Sequence, residues 1–459
     1  MSNYSHKELQ AIKVEAQRLF KSNPKWKSIG VSMKEIAGQD FPEPVITLYV
    51  ESKKKIEELG SDELFPDSVK VGRRRVKTDV CVVDSHNVIA LASCHTLPAN
   101  CSSDNTWLMP VSANRSTIRP LQGGTSCSIF PPSGYDGASV DTGTLGGICI
   151  DLEDNTIVGV SNNHVIGGYN VLGTHLSAYT NDNNLTYWSF LSANDTTSAP
   201  SEVEYPVYQR SSLDQCTTTK STLDNLKVGT TKRAYPLNDI DNKLDVAIFA
   251  LDTTKANLTS TSDNWKQLLM NYNTPMAFAT TAEIDSLLTT QSGAPVFRSG
   301  RTEGPVGWPG TSYGSSTCTL TCYDVSSNLN VNYGGNLGSI SFIDQLAVYG
   351  DADPSTGGDS GSFVCALYNS TNPSTSAWKI IGLLFAGNDG LERMYANRID
   401  NVASMFRLSA YGGQTLPAKY TTKDVRVISS RQSAVTAMIG GKMYWQAGST
   451  NMPVTTTFD

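Results

Sequence analysis

Gly357-Gly358-Asp359-Ser360-Gly361-Ser362 decides how this chain is read. A serine framed by Gly-Asp before it and Gly after it sits in a tight turn. The N–H groups of Gly358 and Ser360 can then converge beside the hydroxyl, the local geometry of an activated nucleophile and its oxyanion hole. A lone loop of this composition is equally a Gly/Ser turn between two strands, so its meaning depends on what accompanies it.

Two other stretches accompany it. Val158-Gly159-Val160-Ser161-Asn162-Asn163-His164-Val165-Ile166 is a β-branched run ending in a histidine and followed by Gly167-Gly168. It reads as strand, exposed turn and loop, with His164 facing a cleft. Leu244-Asp245-Val246-Ala247-Ile248-Phe249-Ala250-Leu251 places one carboxylate at the start of an apolar run that reads as a buried strand. An unpaired charge there is costly, and the ring N–H of a histidine is the economical partner. The order His164, Asp245, Ser360 is that of the chymotrypsin-type triad.

S-N-N-H-V, L-D-V-A-I and G-D-S-G-S in this order resemble the motifs of trypsin-like serine peptidases of the two-barrel fold, near the versions of the HtrA group. A narrower likeness rests on Gly146-Gly147, Ser299-Gly300-Arg301-Thr302, Phe342-Ile343-Asp344-Gln345 and Gly382-Leu383-Leu384-Phe385-Ala386-Gly387. These are similar to the trypsin-like group containing the plant narrow-leaf protein and its bacterial relatives, over roughly residues 25–410. The resemblance implies a mainly β chain with two six-stranded antiparallel barrels. It also implies a serine endopeptidase in which Ser360 attacks a peptide carbonyl, His164 moves the proton, Asp245 orients the imidazole, and the N–H groups of Gly358 and Ser360 hold the oxyanion.

The same resemblance places Pro354, six residues before the nucleophile, at the base of the pocket for the residue before the cut. Phe385-Ala386-Gly387 becomes the strand that pairs with the substrate backbone. An uncharged pocket base favours a small or medium apolar residue over Lys or Arg, and a one-residue shift bringing in Asp353 would reverse that. Asp359 pairs with a freed N-terminus in secreted relatives; here no propeptide boundary is evident, which leaves its partner open. No cofactor or metal is expected. His86, Cys94, His95 and Cys101 match no common zinc spacing, and His175 reads as an ordinary surface or core residue.

Organisation along the chain follows. At 459 residues with 39% hydrophobic and only 17% charged content, the chain suits β-rich, turn-rich domains. Residues 1–115 read as an N-terminal α+β module and linker, 116–252 as a first barrel with His164 and Asp245, 253–410 as a second with Ser360, and 411–459 as a β-rich extension. Helices are expected within 1–25, ending before Pro24, and at 53–59, 265–272 and 398–408, with a looser segment at 85–115 and an insertion near 192–222. The net charge of −7 argues against nucleic-acid binding, and Lys70 to Lys77, alternating with valines, reads as a solvated strand face.

No signal peptide or membrane span is read from the chain, so a soluble, cytoplasmic protein is expected. Its nine cysteines read mostly as buried thiols; Cys365 reads as core, and Cys318 and Cys322 would bridge only with backbone distortion. A protein or peptide substrate is the expected partner, with the N-terminal module or the extension as further docking elements. The rivals are a scaffold that keeps its triad but works by binding, and an esterase, which the missing G-x-S-x-G elbow disfavours.

Overall fold

The computed structural model describes residues within 8–18, 28–96, 113–167, 177–189, 206–307, 318–350, 355–413 and 435–457, with short interruptions inside these ranges. The chain is mainly β, built from two large curled sheets. The second barrel is a closed ring of six antiparallel strands: Pro295–Gly300, Phe363–Tyr368, Ala377–Asn388, Arg393–Arg398, Gln345–Gly350 and Cys318–Asp324, the last pairing back to the first. Val296, Phe297, Val364, Leu383, Leu384, Leu346, Val348 and Ala396 bury its staves, so apolar area removed from water drives the closure.

The first barrel closes in the same way if the bent run Ser139–Leu145 and Gly147–Asp151 counts as one stave. It pairs with Thr125–Ile129 at one end and Thr156–Ser161 at the other. Ala247–Leu251, Lys227–Ala234 and Pro206–Tyr208 complete the ring, the last meeting Thr125–Ile129. Two six-stranded antiparallel barrels are therefore present, the chymotrypsin-like arrangement.

Around the barrels the structure refines several expectations. Ser28–Ile36, Gln39–Val50, Arg74–Val82 and Ser68–Val71 form a mixed sheet that joins the second barrel through Val31 opposite Tyr323. Ile12 and Ala16, one helical turn apart, pack into that core while Val14 faces solvent. The basic hairpin is a solvated face as expected, with Val76 buried between exposed Arg75 and Lys77. The helix expected at 53–59 is only a 3-10 turn, Ile56–Glu58.

The one expected at 265–272 does not form. Leu269 is left-handed (φ 63°), and backbone bonds that a helix would use run instead between Gly123 and residues 266 and 268. A helix not anticipated, Thr281–Thr289, is announced by a capping box in which Thr280 and Glu283 bond each other's backbone N–H. The closing helix spans Ile399–Phe406, and Leu408–Ala410 then returns to pair with Gly147–Asp151 of the first barrel. The segment read as loose contributes two strands: Val88–Ala90 joins the second sheet and Ser93–Thr96 the first.

Within the extension, Val435–Ile439, Lys442–Gln446 and Thr456–Thr457 form a separate three-stranded sheet. Among the described residues no helix is long and apolar enough to cross a membrane, and no cluster of His, Cys, Asp and Glu could hold a metal. His86, Cys101 and His175, and the side chains of Cys94, His95, Cys318 and Cys322, lie outside the described residues. Cys365 is core as expected, and burial pushes the thiols of Cys127, Cys149 and Cys365 upward, Cys127 to about 12, which keeps them unreactive near neutral pH.

Candidate active site

Antiparallel pairing sets the first half of the site. Ser161, at the end of Thr156–Ser161, lies opposite Ala247, at the start of Ala247–Leu251, so the residues just beyond each strand meet. There the chain makes one helical turn, Asn163–Ile166, in place of the expected exposed turn and loop. His164 is only 4% exposed: the turn faces inward because Asn162 bonds the carbonyl of Asp245 at 2.6 Å and Asn163 that of Tyr235 at 2.6 Å.

Asp245, fully buried, accepts a bond from the backbone N–H of His164 at 3.2 Å and another from the Tyr333 hydroxyl at 2.7 Å. Its Oδ2 also contacts His164 Nδ1 directly. With Nδ1 so engaged, His164 Nε2 has no partner among the described residues. The Tyr333 ring meets the imidazole edge-on at 5.5 Å. Asp245 N–H donates to Asn397 Oδ1 at 2.9 Å, and Asn397 is held in turn by Gln345 at 2.7 Å, so the second barrel steadies the acid of the first.

The second half comes from the loop before Phe363–Tyr368. Thr144, on the bent stave of the first barrel, donates its N–H to Ser360 O at 2.7 Å and its hydroxyl to Gly358 O at 2.9 Å. Gly361 at φ 95° lets this contact form, since a Cβ there would lie 2.1 Å from Thr144 O. A Cβ on Gly143 would touch Val165 at 2.5 Å and Ser360 O at 2.7 Å, so the histidine turn and the Ser360 loop meet across that stave. The N–H groups of Gly358 and Ser360 have no acceptor among the described residues. Ser360 is fully buried, and its Oγ donates to Phe385 O at 3.1 Å rather than to His164.

That acceptor exists because of a bulge. Leu384 pairs with Ala396 and Ala386 with Tyr395, so Phe385 is the extra residue and its carbonyl is freed from that ladder. Phe385, Ala386 and Gly387 all lie in Ala377–Asn388, beside the loop that carries Ser360. Pro354 and Asp353 lie outside the described residues.

Asp359 finds its partner inside the chain. Arg298 Nη2 bonds Asp359 Oδ2 at 2.9 Å, both side chains being fully buried. The carboxylate also accepts N–H bonds from Thr302 at 2.8 Å, Glu303 at 3.2 Å and Thr356 at 3.1 Å. Next to it, Arg301 forks onto Asp214 at 2.6 and 2.9 Å. Sequence reasoning passed over Arg298, Tyr333, Thr144 and Asn397. Arg298 carried the same signal as Asp245, a charge inside the apolar run Val296-Phe297-Arg298; the neutral residues carried none.

No protein-family model matches this chain, and no match is found among curated proteins. Among solved structures, it is similar to a glutamic acid-specific serine protease that uses a histidine triad in substrate binding, at 13% identity. The match has a TM-score of 0.31 and covers 63% of this chain and 100% of that one. At that score the likeness bears on neither the fold nor the chemistry of this chain.

Proposed function

We propose that the protein is a serine endopeptidase, similar to the trypsin-like group that contains the plant narrow-leaf protein. The observation that carries the reading is the buried His164–Asp245 pair, beside a loop that offers Ser360, with His164 Nε2 and two loop N–H groups left without partners among the described residues. Ser360 Oγ attacks a peptide carbonyl while His164 Nε2 takes its proton and later delivers it to the leaving amine. Asp245 holds the imidazole and offsets its charge, and the N–H groups of Gly358 and Ser360 bind the oxyanion. Arg298 supplies Asp359 with a cation from within the chain, so the loop takes its shape with no freed N-terminus.

The test is a fluorophosphonate probe. Covalent labelling at Ser360 that is lost in Ser360→Ala is the expected result; absence of labelling in every form of the protein favours the binding scaffold. The ester-to-amide turnover ratio on one peptide separates peptidase from esterase.

One observation favours a gated form of this enzyme over a permanently open one: Ser360 Oγ is committed to Phe385 O, and none of the three triad side chains reaches solvent appreciably. The cytoplasmic location, the four-part division of the chain and docking through the N-terminal module or 411–459 belong to the same proposal. For specificity, cleavage of a peptide library is expected to select a small or medium apolar residue before the cut, as Pro354 carries no charge. Selection for Arg or Lys that vanishes in Asp353→Ala would overturn that preference.

A further inference from the structure

The strand edge assigned to the substrate backbone is occupied. Val88–Ala90 lies along it antiparallel, with Ala90 opposite Ala386, Ile89 opposite Gly387 and Val88 opposite Asn388. On its other side Ile89 pairs with Asn332 in parallel, so the segment fills a slot between two strands. Direction is informative. Ala90 sits nearest Phe385, whose carbonyl holds the Ser360 hydroxyl, and the segment therefore runs towards the nucleophile with its C-terminal end leading. A peptide presented for cleavage at its next carbonyls adds to a sheet edge in this orientation.

Burial tells the same story independently. A nucleophile that cuts chains must be reachable, yet Ser360 is 0% exposed and the half-buried Ala90 packs against the cluster of Phe342, Phe385, Ala386 and Tyr395.

We infer that the slot between Ala386–Asn388 and Asn332 is an extended-peptide site, that Val88–Ala90 is its resident occupant in substrate direction, and that a peptide reaches Ser360 only when this segment leaves. The inference rests on the serine-peptidase reading for what becomes of the peptide that enters. The ligand is an extended peptide with a small apolar residue opposite Ala386, where Ala90 now sits. Three paired residues offer few ladder bonds, so an incoming strand of similar length can displace them.

The experiment uses the full chain carrying Ser360→Ala and a fluorescein-labelled peptide, His-Asn-Val-Ile-Ala-Leu-Ala-Ser, copied from residues 86–93. Adding Ile89→Pro removes a ladder N–H and is expected to tighten peptide binding at least tenfold. Should that variant not fold, Val88→Cys with Asn388→Cys, which join paired positions, decides alone: the oxidised form is expected to bind at least tenfold more weakly than the reduced form. Equal binding by oxidised and reduced forms, or none by either, overturns the inference. With Ser360 restored, the two readings part. Peptide binding that behaves as expected without fluorophosphonate labelling of the reduced form sinks the peptidase and leaves the resident strand. Labelling at one rate in the oxidised and reduced forms sinks the resident strand and leaves the peptidase.

Discussion

Ser360→Ala and His164→Ala are each expected to lower peptide hydrolysis about 10⁴- to 10⁶-fold, and the double variant should be little worse than either alone. The non-additivity follows from shared work: a nucleophile without its base and a base without its nucleophile forfeit the same step. The fold should survive both changes. Removing the Ser360 hydroxyl costs one bond to Phe385 O, about 1 kcal/mol. Removing the imidazole leaves Asp245 with the backbone N–H of residue 164 and the Tyr333 hydroxyl. Single-turnover kinetics beside urea denaturation check both halves, and Ser360→Ala that still cleaves near the wild-type rate rules the triad out.

Arg298→Met is expected to be the most damaging change away from the triad. It strands the Asp359 carboxylate in a site that excludes water, and breaking one side of such a pair costs about 3–5 kcal/mol. Three backbone N–H bonds to Asp359 remain, which places the cost towards the lower figure. Because Asp359 separates Gly358 from Ser360, its displacement should spread the two oxyanion donors and cost about 10²- to 10³-fold in kcat with little change in KM. Asp359→Asn in the Arg298→Met background should recover stability without recovering kcat. Full recovery of both would show that the pair serves the fold alone.

The sequence was most legible where burial and chemistry conflict. A carboxylate in Leu244-Asp245-Val246 demands a partner, so Asp245 and through it His164 could be read before any contact was known. Arg298 obeyed the same rule and went unread because the motif quoted from its strand, Ser299-Gly300-Arg301-Thr302, begins one residue after it. Features set by partners distant in sequence were invisible. The helix expected at 265–272 yielded to Gly123, more than 140 positions away, and the bulge at Phe385 depends on the register with Arg393–Arg398. Val88–Ala90 lay in an apolar run without alternation, and three residues are too few for periodicity to mark a strand. The exposed turn assigned to His164 failed because Asn162 and Asn163, good turn residues, spend their amides on buried carbonyls instead.

The return of Leu408–Ala410 to Gly147–Asp151 has a consequence for how the molecule is made. Synthesis runs from the N-terminus, so the outer edge of Gly147–Asp151 must wait for residue 410, which is 410 − 151 = 259 residues later. At about 5–20 residues per second the wait lasts roughly 10–50 s. During that interval the nascent chain carries a bare strand edge, open to its neighbours on the same polysome. A chaperone, or slowed decoding that lets the first barrel settle, would matter for this protein before any substrate does.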